Sequence, residues 1–252
     1  APFDLAWTSL AAAQNPAAHQ LLPHGEPSLA IFRKRDSRGE VTQVRLVVCG
    51  PFWRTGIYQP APCDELIALR LKPETSAAIF GIAPKEYAED PTDEVPAALK
   101  CACAATLRAA PHALEDELLR LLAQDLRRFA LKAETSTTPE AVAAMLLRQR
   151  KGCIKSIDLA VVLDVSDRHL RRRFKDHLGC SLKTYARYLQ LTEASLAAEK
   201  SAQPAWAQIA LDAGFHDQPH MINAFKAELG VTPRAFHRER RALSGFCNTP
   251  KA

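Results

Sequence analysis

Short apolar runs dominate the first part of the chain. Turn-forming Asp, Gly and Pro residues separate them, and runs bounded in this way indicate β-strands. The clearest runs are residues 29–32, 41–48 and 66–71. The pattern predicts an α+β protein whose residues 1–95 form a small, mostly antiparallel β-barrel or sandwich of cupin-like type.

The apolar period then changes to that of helices, from about Pro96 to Lys132. Leucines and a phenylalanine recur three and four residues apart on one face: Leu114, Leu118, Leu121, Leu122, Leu126 and Phe129. An amphipathic face must cover apolar surface. We expect a helical hairpin that packs on the β-domain, with pairing to a second chain as the alternative. It serves as a connector over residues 96–138, which ends in a linker near residues 134–139.

The last part of the chain contains one unit twice. Residues 174–181 are echoed 51 positions later by residues 225–232. In each copy an N-cap residue precedes apolar residues four apart, and a glycine follows the helix. A shorter helix comes before each, at residues 157–163 and 206–213, and the turn between holds Asp164 or Gly214. Both residue types accept left-handed backbone.

The repeat therefore predicts helix-turn-helix units at about residues 157–178 and 206–229. They form an all-α domain over residues 139–252. The charge distribution agrees with this division. Residues 139–252 contain 18 Lys and Arg and 11 Asp and Glu, whereas residues 1–138 contain 15 Lys and Arg and 17 Asp and Glu. A basic back half is typical of a nucleic-acid-binding domain attached to a sensor or association domain.

The repeated units resemble the DNA-binding domain of the AraC/XylS-type transcription regulators. The residues that carry the resemblance are Ile209-Ala210, Gly214-Phe215, Asp217, Phe225-Lys226, Gly230 and Thr232-Pro233. The family implies two helix-turn-helix units held by a central helix, here residues 181–199, which would span about 28 Å. One chain could then read two adjacent turns of double-stranded DNA. The front half resembles the small β-domain of an uncharacterised branch of that family, through residues 23–25, 50–51, 69–73 and 80–84.

Candidate base contacts lie opposite the apolar stripe of each recognition helix. In the first unit they are Arg168, Arg171 and Arg172, and in the second Gln218, His220 and Asn223. Arginine pairs bidentately with guanine, whereas Gln and Asn pair with adenine. The resemblance assigns base reading to the positions of Arg168 and Arg172. Asn223, Gln190 and His237 stand where the family pattern normally supplies arginine, so we expect the first unit to dominate affinity and sequence choice.

Candidate phosphate contacts are basic or capping residues around the recognition helices. They are Lys175, Ser181, Lys183, Lys226, Thr232 and Arg234. Free backbone N–H groups at a helix N-terminus favour a phosphate there. We expect Ser181 and Thr232 first of all to cap the helices that they precede.

Two alternatives to a ligand-controlled regulator stay open. A thiol-responsive regulator would switch through Cys101 and Cys103 or through Cys49 and Cys63, and Lys100 is the basic neighbour that could stabilise a thiolate. An enzyme fused to a DNA-binding module would need clustered ligands or a nucleophile motif, and the sequence offers neither. We expect no catalytic residue, metal or cofactor.

The expected partner is double-stranded DNA. A small-molecule effector, RNA polymerase and a second copy of the chain are further candidates. No apolar run approaches the roughly 20 residues that span a bilayer, and the start of the chain lacks the basic and apolar segments of a secretory signal. The seven scattered cysteines are typical of reduced thiols. The sequence thus predicts a cytoplasmic protein without a membrane partner.

Overall fold

The computed structural model describes residues 3–10, 19–21, 26–51, 56–58, 64–72, 76, 79–80, 84–86, 92, 94–130, 138–242 and 246–247. The strands are β1 (Phe3–Leu10), β2 (His19–Leu21), β3 (Ser28–Arg35), β4 (Val41–Cys49), β5 (Gly56–Tyr58), β6 (Asp64–Leu71) and β7 (Phe246–Cys247). The helices are α1 (Ala97–Ala102), α2 (Ala104–Ala109), α3 (Glu115–Ala130), α4 (Pro139–Gln149), α5 (Ser156–Val162), α6 (Asp167–Leu178), α7 (Leu182–Glu199), α8 (Trp206–Asp212), α9 (Gln218–Leu229) and α10 (Pro233–Ala242). A 3₁₀ helix covers Pro84–Glu86. Over these ranges, the helices are all too short or too polar to cross a bilayer.

Five strands form one antiparallel sheet in the order β4-β3-β6-β1-β7, and β2 pairs with β5 in a second, two-stranded sheet. The three predicted apolar runs are confirmed as β3, β4 and β6. The apolar pattern did not predict β1, which pairs with β6 along its whole length. Closure into a barrel, or a cupin-like arrangement, stays a prediction.

The turn between β3 and β4 has a local cause in the sequence. The Asp36 carboxylate accepts hydrogen bonds from the backbone N–H groups of Arg38 at 2.8 Å and Glu40 at 3.0 Å. Gly39 takes a φ of +83°, and a Cβ added there would meet nothing within 4 Å. The hairpin is thereby closed without tertiary contacts.

Helices α1 to α3 cover one face of the sheet. The buried residues of α3 include Leu118, Leu119, Leu122 and Leu126, and these pack with sheet residues in one core. The predicted stripe was wrong at Leu114, which precedes α3 and is 79% exposed. The stretch from residue 96 also divides into three helices. As expected, the amphipathic helix packs on its own sheet.

A buried charge ties these helices to the sheet. Arg33 of β3 is 1% exposed and pairs with Glu65 of β6. Its guanidinium also donates to the carbonyl oxygens of Ala110 at 3.0 Å and Ala113 at 2.7 Å, which lie between α2 and α3. The ion pair therefore holds the connection between two helices against two strands.

The back half has two cores that share one helix. The first contains Tyr185 and Leu182 of α7 together with residues of α4, α5 and α6. The second contains Tyr188 and Leu191 of α7 together with residues of α8, α9 and α10. Helix α7 thus begins in the first unit and ends in the second.

Among the described residues, the back half contacts the front half in at least two places. The 3₁₀ helix Pro84–Glu86 packs against α6. Strand β7 pairs with β1 through Thr8–Cys247 and Ser9–Phe246, so the prediction of an all-α domain over residues 139–252 was wrong at this strand. Helix α4 begins at Pro139 after the N-cap Thr138. Residues 134–137, which are most of the predicted linker, lie outside the described residues.

Candidate nucleic-acid interface

Each unit builds its second helix with the same local devices. Ser166 caps α6 by accepting the His169 N–H at 3.2 Å, and Asp217 caps α9 by accepting the His220 N–H at 2.7 Å. Both helices end at a left-handed glycine. The preceding turns take positive φ at Asp164, +52°, and Gly214, +81°. The predicted helix-turn-helix geometry is confirmed in both copies.

The outward face of α6 carries the predicted basic residues. Leu170, Phe174 and Leu178 are 1% exposed or less, so they fix which side faces the core. On the opposite side, all four predicted residues are exposed: Arg168, Arg171, Arg172 and Lys175. Their side chains are free of the core, as contact with a DNA groove requires.

The three arginines differ in their existing partners. Arg171 pairs with Asp167 at 2.9 Å and donates to the Ser156 hydroxyl at 2.8 Å. Hydrogen bonds from Ser156 and Arg171 lower the pKa of Asp167, which keeps that carboxylate charged. Arg172 lies 3.5 Å from the His169 ring. Arg168 has no hydrogen bond or ion pair among the described residues, so it and Arg172 are the better placed for DNA.

The predicted polar residues of α9 lie opposite Met221, Phe225 and Leu229, all 2% exposed or less. His220 and Asn223 are exposed, whereas Gln218 is half-buried. This face carries no positive side chain at the predicted base-contact positions, in contrast to α6.

Arg187 of α7 joins this second face, although the sequence analysis missed it. Its guanidinium lies 3.2 Å from the His220 Nε2 and stacks over the Phe215 ring at 5.3 Å. His220 Nδ1 lies 3.3 Å from the His216 backbone N–H. A neutral imidazole accepts at only one nitrogen, so His220 cannot accept from both groups at once. The available signal was that Arg187 is the sole arginine of α7.

The capping roles predicted for two residues are confirmed. Ser181 accepts the Thr184 N–H at 3.0 Å, and Thr232 accepts the Ala235 N–H at 3.2 Å. The basic residues expected to contact phosphates are all exposed, namely Lys175, Lys183, Lys226 and Arg234. Phosphate binding by this set stays a prediction.

Two positions where the family pattern normally has arginine serve the interior of the second unit. Gln190 donates to the Gly214 carbonyl oxygen at 3.1 Å and so holds the turn before α9. His237 is buried and packs edge-on against Trp206 at 5.8 Å between ring centroids. Both side chains therefore make contacts within the second unit, and neither supplies the positive charge that an arginine would have at its position.

The thiol alternative finds little support in the geometry. Burial raises the pKa of Cys49 to about 12 and that of Cys103 to about 12, so neither thiol is ionised at neutral pH. Cys101 is exposed, and Cys63 lies outside the described residues. Within the described ranges, no cluster of His, Cys, Asp and Glu could hold a metal ion.

Comparison with known proteins decides the family. A family model described as a helix-turn-helix domain matches residues 159–239. The probable transcription factor PqrA of Proteus vulgaris is 35% identical over 99 residues, which are 39% of this chain and 80% of PqrA. The chain belongs to the AraC family of transcription regulators. The matched residues include α6 and α9 of the two units.

The chain is also similar to a further transcription regulator and to a solved structure. The HTH-type transcriptional activator RhaR of Cronobacter sakazakii is 30% identical over 145 residues, 54% of this chain and 50% of RhaR. The chain thus spans about half the length of that relative. The crystal structure of ToxT from Vibrio cholerae covers 93% of this chain and 98% of ToxT, with a TM-score of 0.50 and 9% identity. That likeness shows a shared mixed α+β fold with a small sheet before a mostly helical region.

Proposed function

We propose that this protein is a sequence-specific transcription regulator that reads two adjacent major grooves, with α6 in one and α9 in the next. The observation that carries the proposal is the pairing of two exposed recognition helices through one shared helix. The 18 residues of α7 span about 27 Å, close to the ~34 Å between successive major-groove faces. A duplex could therefore contact both helices on one side.

Within this proposal the first unit supplies most of the discrimination. Arg168 and Arg172 are exposed and are not held by a carboxylate. A bidentate contact with guanine contributes about 1–3 kcal/mol of discrimination. Arg171 would first have to exchange its bonds with Asp167 and Ser156. In the second unit, the corresponding hydrogen-bonding side chains are Gln218, His220 and Asn223, none of which is an arginine or a lysine.

We further propose that residues 1–95 sense a small molecule or mediate association and that residues 139–252 bind DNA. Residues 96–138 connect these two domains. Support comes from the front-half 3₁₀ helix, which packs against α6 on the flank that carries Arg173 and His177. That flank lies beside the basic face. A change in the front half could thus reach the first recognition helix without covering its DNA-binding side.

The test is selection of random duplex DNA by the purified protein, followed by sequencing of the retained duplexes. We expect a site of two short blocks about one helical turn apart. Arg168→Ala and Arg172→Ala should abolish enrichment of one block. Arg108→Ala is the matched control, because it removes an exposed arginine from α2 in the front half.

Two results would contradict the proposal. One is retention of random DNA that merely weakens with salt and enriches no motif, since that is non-specific phosphate binding. The other is loss of enrichment in the Arg108→Ala variant as complete as in the two α6 variants.

A further inference from the structure

The loop between α4 and α5 belongs to the first helix-turn-helix unit but contacts the second. Lys151 and Gly152 both have positive φ, +51° and +79°, which turns the chain sharply after α4. The turn directs the following residue, Cys153, toward the connection between α8 and α9. The loop therefore bridges the two units on the side of α7.

Two contacts hold this loop against α7. Lys151 pairs with Glu193 at 2.9 Å. Gly152 is buried so closely against α7 that an added Cβ would lie 2.3 Å from the Ala186 carbonyl oxygen. The Ala186 carbonyl group cannot move without distorting α7, so the separation between the loop and α7 is fixed at this point.

The loop also touches the turn of the second unit directly. The Cys153 sulfur lies 4.0 Å from the Ala213 carbonyl oxygen. A Cβ on Gly214 would lie only 2.1 Å from that sulfur and 3.0 Å from the Gln190 amide nitrogen. Gln190 in turn donates to the Gly214 carbonyl oxygen at 3.1 Å. The turn before α9 is thus held between α7 and a loop of the first unit.

We propose that the α4–α5 loop is a spacer that fixes the distance and rotation between α6 and α9, and thereby sets the separation of the two base blocks in the target DNA. This inference rests on the proposed reading of two grooves. Helix α7 gives one connection between the units, because it lies in both of their cores. The loop gives a second connection, which makes their arrangement rigid.

The experiment measures the affinity of the full chain for three kinds of duplex obtained from the selected site. One has the two blocks at the selected separation, a second has one base pair more or fewer between them, and a third keeps only the first block. Gly214→Ala adds the methyl group that collides with Cys153. Gly39→Ala is the matched control, because it imposes the same positive φ on alanine in open space.

We expect Gly214→Ala to weaken binding at the selected separation by about tenfold, since the added methyl group forces the turn before α9 away from the loop. Affinity for the single-block duplex should stay unchanged. Cys153→Ala in the Gly214→Ala background removes the colliding sulfur and should restore most of the loss. Gly39→Ala should behave as the wild type on all three duplexes.

A second variant covers the case in which Gly214→Ala fails to fold. Gln190→Ala removes the hydrogen bond to the turn without adding volume. It should reduce the preference for the selected separation over its neighbours by about threefold, the effect of one lost hydrogen bond.

The outcomes separate this inference from the function on which it rests. Equal losses of Gly214→Ala on single-block and two-block duplexes, no rescue by Cys153→Ala, or an unchanged spacing preference in Gln190→Ala would each overturn the spacer. Wild-type binding that is specific for the blocks but indifferent to their separation overturns the spacer and leaves the proposed function standing. Wild-type binding that recognises no block overturns both.

Discussion

Arg33 and Glu65 form an ion pair in the front half that is almost fully buried, with side chains 1% and 4% exposed. Arg33 also donates to two backbone carbonyl oxygens between α2 and α3. Removal of one partner of such a pair leaves a buried charge without compensation. The effect of a substitution here is therefore decided by desolvation and not by the strength of the pair alone.

We expect Glu65→Gln to lower the free energy of unfolding by about 3–5 kcal/mol, because it leaves the Arg33 charge buried beside a neutral amide. Urea denaturation at neutral pH measures the change. Glu40→Gln, in the exposed β3–β4 turn, is the control and should stay within about 0.5 kcal/mol of the wild type. A Glu65→Gln loss as small as the control's would contradict the assignment of a critical buried pair.

His177 gives the stability a dependence on pH. Burial lowers its pKa, aided by the charges of Lys85 and Arg173 and opposed by Glu140. The unfolded chain then takes up the proton first, below its ordinary pKa of about 6.5. His177 therefore leaves the free energy of unfolding unchanged well above about pH 6.5 and lowers it as the pH falls below that value.

We expect the unfolding free energy to decrease between about pH 7.5 and 5.5, and His177→Gln to make that decrease smaller. Urea denaturation at several pH values in this range measures both slopes. Above pH 5.5 most carboxylates stay ionised, so they add little. Exposed His112→Gln is the control, and identical slopes in the wild type and His177→Gln would show that the prediction is wrong.

Residue types alone located most of the candidate site, but not the partners of each side chain. The sequence placed Arg168, Arg171 and Arg172 on one face, because helical geometry fixes that face once Leu170 is buried. It could not show that Arg171 is held by a hydroxyl of another helix, since its bond to Ser156 crosses from α6 to α5. Arg187 escaped notice for the same reason, because its contact with His220 joins residues 33 positions apart.

At the scale of the element, α6 and α9 share their caps, their terminal glycines and their buried stripes but differ in the chemistry of their exposed faces. The face of α6 has four basic residues, Arg168, Arg171, Arg172 and Lys175, whereas that of α9 has Gln218, His220 and Asn223. Equivalent scaffolds thus present unequal surfaces to DNA.

We expect Arg172→Ala to weaken binding to the selected site by about 1–3 kcal/mol and Asn223→Ala to weaken it by clearly less, because arginine contributes both charge and a bidentate contact. Fluorescence anisotropy with a labelled duplex measures both dissociation constants. Equal losses would contradict the asymmetry between the two units. The Arg108→Ala variant again serves as the control.

Elements with local signals were predictable, and elements that depend on distant pairing were not. Caps and glycines fixed α6 and α9 within a residue of their bounds. Strand β1 has its partners at β6 and β7, more than 50 residues away, and its own residues carry no turn signal that marks a strand. Helices α1 and α2 were not predicted as separate helices, because the break at Cys103 is a change of backbone angle without Pro or Gly.

At the scale of the whole molecule, we expect charge to govern the affinity for DNA through contacts with the phosphates. Each phosphate that a basic side chain neutralises releases counterions, so the logarithm of the affinity falls with the logarithm of the salt concentration with a slope of about −0.9 per contact. The exposed cations Lys175, Lys183, Lys226 and Arg234 surround the two recognition helices. Their number should set the steepness of the salt dependence.

We expect Lys183→Ala and Lys226→Ala each to make the salt slope shallower by about 0.9 while the selected sequence stays the same. Titration of a labelled duplex at four salt concentrations gives the slope. Lys200→Ala, an exposed lysine directly after α7, is the control. A slope that neither substitution changes would remove Lys183 and Lys226 from the phosphate contacts.

The division of α7 between two cores limits how the units can be used separately. Tyr185 completes the first core and Tyr188 the second, only three residues further along the same helix. Neither unit can therefore be transferred alone to another protein, because removal of one unit together with α7 takes core residues from the other. A designer who wishes to exchange one recognition helix must graft its exposed face onto the existing scaffold. The two repeated units are therefore parts of one folded body.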